Sequence, residues 1–302
     1  NMSNSRRQFL KKVAGLGSVA VLGKAQNSAA KTNKPKADSF GVLVDTTACI
    51  GCRSCEKACN RINKDLPRKS TEFLEDKSVF NQKRRMDASA YTVVNQYPNR
   101  KQPEKPVYAK FQCMHCQEPA CVSACIVGAL EKDANGAVKY DPWKCIGCRY
   151  CMAACPFQVP AYEYENVLTP EVRKCTFCFD TRLSKGKLPA CVQSCPMQVM
   201  TFGDRNDLIE IGKKKIRRRP DRYNNHIYGE KEIGGTAWMI LAGVPFEEID
   251  LPKLGTHPIP EYTEPIQHAI FKWFLPPAAL YSTIGGIMWF MKQRTKNIDN
   301  QE

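Results

Sequence analysis

Cysteine is the residue type whose number and spacing indicate a chemical role in this chain, which contains sixteen of them. They form four groups with none left over: group one is Cys49, Cys52, Cys55 and Cys59, group two is Cys113, Cys116, Cys121 and Cys125, group three is Cys145, Cys148, Cys151 and Cys155, and group four is Cys175, Cys178, Cys191 and Cys195. Groups one and three have the spacing C-x2-C-x2-C-x3-C, and groups two and four keep its two ends around a wider gap. Four thiols on one short loop, repeated four times, predict metal-centre ligands rather than long-range disulfides.

The spacing favours iron–sulfur clusters. In the run C-x2-C-x2-C-x3-C the first three thiolates hold one [4Fe–4S] cluster while the fourth ligates another. Zinc is an alternative, since C-x2-C is also a zinc-binding pair, and a disulfide-rich protein is a second alternative. At four ligands per cluster, the sixteen cysteines predict four [4Fe–4S] clusters. His115 lies inside the sequence CMHC and is interpreted as a spacer rather than a ligand, because each cluster already has four thiolates.

The N-terminal residues predict export of the folded protein. Ser5–Lys11 reads SRRQFLK, which is the pattern of a twin-arginine signal, and the short apolar run Val13–Gly23 follows it. Small residues at 28–30 suit a cleavage site, so residues 1–30 are predicted to be a signal peptide. Because that route carries folded proteins, the clusters can be inserted in the reducing cytoplasm first. We therefore expect the protein on the periplasmic side of the cytoplasmic membrane.

The basic composition is interpreted as compensation for the clusters. The formal net charge is +15, of which residues 1–30 contribute 5, and +10 is left for the remainder. Four clusters with their thiolates carry about −2 each and offset about eight of these charges. The run Lys213–Arg219, KKKIRRR, predicts a solvated surface for an acidic partner. We expect no nucleic-acid partner, because no helix-turn-helix, zinc finger or aromatic-interleaved module accompanies the run.

Short elements are predicted around the cysteine groups. Alternating and apolar segments predict strands at Phe40–Asp45, Val107–Phe111 and Ala137–Tyr140. Residues 129–140 predict a hairpin that turns at Asn135 and Gly136. Residues 60–107 read as a polar insertion. Small strands and short helices wrapped around clusters indicate an α+β fold, in which the clusters crosslink the loops in place of a large apolar core.

A C-terminal segment predicts a membrane anchor. Trp273–Met291 contains nineteen residues without a charge, which at about 1.5 Å per residue would span about 28 Å as a helix. Lys292 and two further cations follow it, as expected for a cytoplasmic flank. The sequence therefore predicts a transmembrane helix at 271–291 and a cytoplasmic tail at 292–302. A buried core helix is the alternative.

The cysteine groups resemble those of the four-cluster subunits of membrane-bound bacterial oxidoreductases. A fuller resemblance, to the periplasmic electron-transfer subunit of hydrogenase-2-type nickel–iron hydrogenases, is carried by SRRQFLK, by CMHC and CIGCRYCMAACPFQVP, and by Tyr228–Leu254. This resemblance covers nearly the whole chain from Phe40 to Met291. Ile126 stands where this family often has proline after group two, which affects the local geometry and not the ligand set.

The resemblance implies an electron-relay subunit that performs no bond-making chemistry. Its partners would be the small and large subunits of a hydrogenase and a quinone-reactive integral membrane subunit. We find no G-x-G-x-x-G loop, nucleophile elbow or phosphate-binding loop in the sequence, which agrees with a subunit that is not itself an enzyme. The alternative is the iron–sulfur subunit of a molybdenum oxidoreductase such as a formate dehydrogenase or a polysulfide reductase.

The resemblance also implies two nested bacterial-ferredoxin-like domains, each with two clusters. Within residues 31–245, groups two and three would form an inner domain at 107–160 and groups one and four an outer domain, with a linker at 246–270. The implied ligand sets are Cys49, Cys52, Cys55 with Cys195; Cys175, Cys178, Cys191 with Cys59; Cys113, Cys116, Cys121 with Cys155; and Cys145, Cys148, Cys151 with Cys125. Pairing of group one with two and of three with four would satisfy every thiolate equally well.

Overall fold

The computed structural model describes residues 39–100, 102–264 and 280–291. The predicted signal peptide at 1–30 and the predicted cytoplasmic tail at 292–302 lie outside these residues. The strands are β1 (Phe40–Asp45), β2 (Val93–Tyr97), β3 (Val107–Phe111), β4 (Leu130–Lys132), β5 (Val138–Tyr140), β6 (Ala161–Tyr162), β7 (Val172–Arg173), β8 (Met200–Asp204) and β9 (Trp238–Leu241). The helices are α1 (Ser54–Ile62), α2 (Thr71–Glu75), α3 (Ala120–Ser123), α4 (Tyr150–Ala154), α5 (Ala190–Gln193) and α6 (Arg205–Arg218). Residues 259–264 and 280–291 are also helical.

The central sheet joins segments that are distant in the sequence. Its strand order is β8-β1-β9, with β1 antiparallel to β8 and parallel to β9. In the register of this sheet, Val42 lies opposite Phe202 on one side and Trp238 on the other. The predicted strand at Phe40–Asp45 is confirmed as the middle strand. Its apolar sequence suits this position, because a strand covered on both faces buries side chains of both alternations.

Each face of the central sheet packs against a separate apolar layer. One layer is formed by Leu43 of β1, Met239 of β9 and the buried face of α6, which includes Leu208 and Ile216. The other contains Val42, Val44 and Trp238 and continues towards the cysteine groups. Helix α6 begins where the Asp204 carboxylate accepts the Asn206 N–H, at 2.8 Å, as helix-capping residues do.

Within the described ranges, the other sheets are the antiparallel two-strand units β2-β3, β4-β5 and β6-β7. The predicted hairpin at 129–140 is confirmed by the pairing of β4 with β5, and Gly136 in its turn has φ +96°. Strand β2 and helix α2 lie inside the segment 60–107, which the sequence had indicated only as a polar insertion. Strand β3 of the first unit carries Lys110 into the cysteine-rich interior.

The C-terminal prediction requires a correction. Among the described residues, no helix is both long enough and apolar enough to cross a membrane. The described helical part of the predicted anchor, 280–291, has twelve residues, against the roughly 20 that a span needs, and residues 271–279 lie outside the described part. The predicted transmembrane helix is therefore wrong as part of the fold class. In the segment predicted as a linker, Phe246, Ile249 and Leu251 are buried in the core.

Candidate metal centres

The cysteine groups lie on loops that lead into short helices, and these helices pack in two pairs. Helix α1 of group one packs against α5 of group four, and α3 of group two packs against α4 of group three. The loops of groups one and three share their backbone conformation. Gly51 and Gly147 have φ of +64° and +69°, and Arg53 and Arg149 have φ of +62° and +61°. Left-handed residues at these positions turn the backbone sharply, so three thiols of one loop face the same side.

Two cavities are each lined by four cysteines from two groups. One cavity is lined by Cys49, Cys52, Cys55 and Cys195, which we name site A. A second cavity is lined by Cys59, Cys175, Cys178 and Cys191, which we name site B. Burial raises the pKa of Cys59 well above its usual range, and the charges of Cys175, Cys191 and Cys178 raise it further. Cys113 lines neither cavity.

Two further sets of four thiols are recognised from their mutual electrostatic effects. Site C comprises Cys113, Cys116, Cys121 and Cys155. Burial raises the pKa of Cys116, followed by the charges of its three companions in site C. Site D comprises Cys125, Cys145, Cys148 and Cys151. Burial raises the pKa of Cys151 to about 11, and the largest further contributions come from the other three cysteines of site D.

Charge effects between thiols of different sites indicate that the four sites follow one another in the order A, B, C, D. The charge of Cys191 in site B raises the pKa of Cys55 in site A, after the larger effects of burial and Lys110. Burial and then the Cys113 charge of site C raise the pKa of Cys175 in site B to about 12. The next link joins sites C and D, since the Cys151 charge contributes to the raised pKa of Cys121, below the effects of burial and nearer groups.

A ring stack joins the loops of sites B and C. His115 lies between two cysteines of site C, and Phe177 lies between two cysteines of site B. The two rings are 4.9 Å apart between centroids and are nearly parallel, at 21°. Both residues have positive φ, +47° for His115 and +59° for Phe177, which turns their side chains into the interior. His115 is thus a packing element between two sites, a role that agrees with its interpretation as a spacer in the loop.

Hydrogen-bond donors point at the thiol sulfurs. The donors and their distances to Sγ are Ala129 N–H to Cys125 at 3.2 Å, Asn63 Nδ2 to Cys59 at 3.4 Å, Phe177 N–H to Cys175 at 3.4 Å and Gly147 N–H to Cys145 at 3.5 Å. Donors of this kind stabilise a thiolate, which is the form that binds a metal. Hydrogen bonds to sulfur also raise the reduction potential of an iron–sulfur cluster.

Of the lysines that the structure describes, three are buried among the sites, and sequence reasoning did not identify them. Lys110, Lys132 and Lys174 are between 3% and 6% exposed. Burial lowers the pKa of Lys132 to about 8, against the opposing charges of Cys116 and Cys113. Burial also acts to lower the pKa of Lys110, but the thiolates of sites A and B outweigh it and the pKa is raised. The sequence offered one signal for Lys110, because it is the single charged residue of the otherwise apolar β3 segment VYAKF.

Histidine at position 115 is neutral. Burial, followed by the charges of Lys174 and Lys132, holds the pKa of His115 well below its usual range. The His115 Nδ1 atom accepts the Val138 N–H at 2.9 Å, so the ring proton is on Nε2. Because Nδ1 of the neutral ring already accepts a hydrogen bond, the Nε2–H group is the donor that remains for further contacts.

The residues around the cavities fit an iron–sulfur cluster. All sixteen cysteines are free thiols, and four thiolates per site is the donor set of a [4Fe–4S] cluster. In the cavity walls, Arg53 Nε of site A and Trp238 Nε1 of site B are buried without a hydrogen-bond partner among the described residues. A cluster would offer sulfur acceptors to such donors. No group of three or more His, Cys, Asp or Glu side chains in the described ranges is arranged to hold a metal ion; the thiols surround cavities instead.

Two protein-family models match the cysteine-rich part of the chain. Each is described as a 4Fe-4S dicluster domain, and they match residues 48–129 and residues 105–205. Together the two matches include all four cysteine groups. They support clusters of the [4Fe–4S] type.

Curated proteins are similar to this chain over most of its length. A protein of Nitratidesulfovibrio vulgaris is 50% identical over 262 residues, which cover 85% of this chain and 70% of that protein. The hydrogenase-2 operon protein HybA of Escherichia coli O157:H7 is 35% identical over 326 residues, covering 97% of this chain and 96% of HybA. The iron-sulfur subunit of the nitrate-inducible formate dehydrogenase of Escherichia coli K12 is 34% identical over 217 residues, which cover 70% of this chain and 69% of that subunit.

Proposed function

We propose a function from the premise that this chain belongs to the family of iron–sulfur electron-transfer subunits with 4Fe-4S dicluster domains. Its sixteen cysteines hold four [4Fe–4S] clusters in one electron wire. The observation that carries this proposal is the pair of cavities at sites A and B, each lined by three cysteines of one group and one of another. Sites C and D have the same composition. The nested ligand sets given by sites A to D are part of the proposal.

The chain's own residues hold and insulate the clusters. A [4Fe–4S] cluster supplies reversible one-electron chemistry at a potential set by its charge, its hydrogen bonds and its exposure to solvent. Each of sites A, B and C has at least one buried cysteine and no exposed one, which limits the access of water, and backbone donors stabilise the thiolates. Cys148 of site D is the one exposed cysteine of the sixteen, so the wire comes nearest to solvent at that end. No residue of the chain is needed as an acid, base or nucleophile, and the subunit is not itself an enzyme.

We assign the wire to a hydrogenase complex. The support is the similarity to HybA, which extends over 97% of this chain and 96% of HybA, whereas the similarity to the formate dehydrogenase subunit covers 70% of this chain. The partners would be the small and large subunits of a nickel–iron hydrogenase and a quinone-reactive integral membrane subunit. The same wire in a formate dehydrogenase or another molybdenum oxidoreductase is the second candidate.

The first experiment tests the clusters. Anaerobically purified full-length chain should contain about sixteen irons and about sixteen acid-labile sulfides, as four cubes require. It should be brown and should bleach on addition of dithionite. A colourless protein with stoichiometric zinc and little sulfide would contradict the proposal.

The second experiment identifies the complex. Membranes from cells that express the chain should reduce its clusters under hydrogen, and a hydrogenase large subunit should co-purify with it. Reduction by formate and not by hydrogen, with a co-purifying molybdenum subunit, would assign the chain to the second candidate and contradict the hydrogenase assignment.

We also propose export by the twin-arginine route, on the support of SRRQFLK at Ser5–Lys11. Replacement of both Arg6 and Arg7 by lysine should retain the protein in the cytoplasmic fraction with its iron content unchanged. Unchanged appearance in the periplasmic fraction would contradict this route.

A further inference from the structure

Lys110 occupies a position shared by two of the cysteine sites. It lies on β3 opposite Val94 of β2 and is 6% exposed. Its side chain lines both the cavity of site A and the cavity of site B. Among the described residues, no other lines both cavities. Lys110 therefore lies between the first two sites of the wire.

The ammonium group of Lys110 has only neutral partners among the described residues. Its Nζ donates to Gln112 Oε1 at 2.7 Å and lies 4.5 Å from the centre of the Trp238 ring. None of the ion pairs between described residues includes Lys110. The one hydrogen bond and the ring contact hold the side chain in place without neutralising its charge.

A buried ammonium without a carboxylate is costly unless another negative charge faces it. The thiols of sites A and B supply that charge. A [4Fe–4S] cluster with its four thiolates carries about −2 when oxidised and gains one more negative charge when it accepts an electron. A fixed positive charge therefore stabilises the reduced form more than the oxidised form, and the effect is large where water does not screen it.

We propose that Lys110 is a shared counter-charge that raises the reduction potentials of the clusters at sites A and B together. This proposal rests on the proposed function, because it requires clusters at those two sites. Its consequence is that the potentials of sites A and B shift upwards together, so Lys110 makes both clusters easier to reduce and changes the difference between them less than it changes either one. A single residue thus acts on two clusters.

Lys132 provides the matched control, because it is a buried lysine that faces one site. Its Nζ donates to His115 O at 3.1 Å and to Gly136 O at 2.7 Å. The cysteines that act on it most strongly, Cys116 and Cys113, belong to site C, and it lines neither cavity A nor cavity B. Its removal should therefore affect site C and leave sites A and B unchanged.

The test is a redox titration of the full chain followed by electron paramagnetic resonance, with iron and sulfide measured in each sample. In Lys110→Met, two of the four midpoint potentials should fall by about 59 mV, which is a tenfold change in the ratio of reduced to oxidised cluster for a one-electron couple. Lys110→Arg keeps the charge and should keep both potentials. Lys132→Met should lower one potential that Lys110→Met does not change.

The outcomes separate this proposal from the proposed function. Wild-type protein without four cubes contradicts the proposed function itself. Four cubes with all potentials unchanged in Lys110→Met, or with only one potential lowered, would overturn the role of Lys110. If Lys110→Met loses iron, Lys110→Gln replaces it. If both neutral variants lose the clusters of sites A and B only, and Lys110→Arg keeps the wild-type potentials, the result supports the shared charge. If the neutral variants lose all four clusters, the result overturns it.

Discussion

Glu56 connects the loop of site A to the strand behind it, and its removal is the clearest test of how the protein holds that site. The residue follows Cys55 on α1 and is 6% exposed. Its carboxylate accepts hydrogen bonds from Arg53 Nη2 at 2.9 Å, from Arg84 Nη2 at 2.6 Å and from the Val94 N–H at 2.7 Å. Although burial acts to raise the pKa of Glu56, the hydrogen bonds from Arg84 and Arg53 outweigh it and hold the pKa below its usual value.

Replacement of Glu56 by glutamine removes the charge and keeps the shape. Arg53, whose side chain is fully buried in the wall of site A, would then have no carboxylate partner. Loss of one partner of a buried ion pair costs about 3–5 kcal/mol, because the other charge is left uncompensated. Glu56→Ala also removes the acceptor for the Val94 N–H, and an unsatisfied buried donor costs about 1–3 kcal/mol more. The alanine variant should therefore be the less stable of the two.

The assay is anaerobic unfolding in guanidinium chloride, followed by visible absorbance and by the iron that the protein retains. A loss of 3–5 kcal/mol should lower the midpoint by at least about 0.5–0.8 M, because slopes reach at most about 6 kcal/mol per molar. Glu75→Gln is the control, because Glu75 pairs with Lys57 on the surface and such pairs contribute little. Equal midpoints for Glu56→Gln and Glu75→Gln would refute the reasoning that the buried carboxylate supports site A.

Two further predictions concern the geometry of the sites. Gly51→Ala should lower the free energy of unfolding by about 2–5 kcal/mol, from left-handed strain and overpacking together, because its new Cβ would lie 2.4 Å from the Tyr108 ring. Gly128→Ala, at nearly the same φ but with nothing within 4 Å, should lose only about 1–2 kcal/mol, and equal losses in the two variants would refute the clash. Cys59→Ser and Cys113→Ser should each remove about four irons, because the nested sets place these cysteines in different clusters. The double variant should therefore lose about eight irons. A double variant that loses only about four would favour pairing of group one with group two.

Local patterns in the sequence were sufficient for several elements. The alternating segment FGVLVD predicted β1, and Asn135 with Gly136 predicted the turn between β4 and β5. These signals are local, because the strand pattern and the turn residues lie within a few positions of each other. The grouping of the cysteines was equally local. Which groups meet in one site depends on the packing of α1 with α5 and of α3 with α4, and spacing alone left two pairings open.

Other elements depend on partners far away in the chain. Strand β9, WMIL, pairs with β1, whose partner residues lie 196 positions earlier in the chain (Val42 and Trp238, 238 − 42), and nothing near β9 in the sequence marks that partner. The spacing of Leu208, Gly212 and Ile216, which line the buried face of helix α6, was a sequence signal for an amphipathic helix. The basic run at Lys213–Arg219 was interpreted only as a solvated surface. The anchor prediction came from an uncharged stretch of nineteen residues and the cations that follow it, and neither feature fixes the length of a helix.

The distribution of positive charge shows why net charge is a poor guide to the properties of the sites. Most of the lysines and arginines in the described part of the chain are solvent-exposed, including Lys214 and Arg217–Arg219 of the basic run, and salt screens their effect on a cluster within about 10 Å. Lys110, Lys132 and Lys174 are few, but they are buried beside the thiols, where the dielectric is low and screening is weak. Buried Arg53 is paired with Glu56, whereas these three lysines have no carboxylate partner among the described residues, so we expect their charges to act most strongly on the clusters, and the exposed cations remain available for contact with other proteins. A substitution among the exposed cations should change association, and a substitution among the buried three should change potentials.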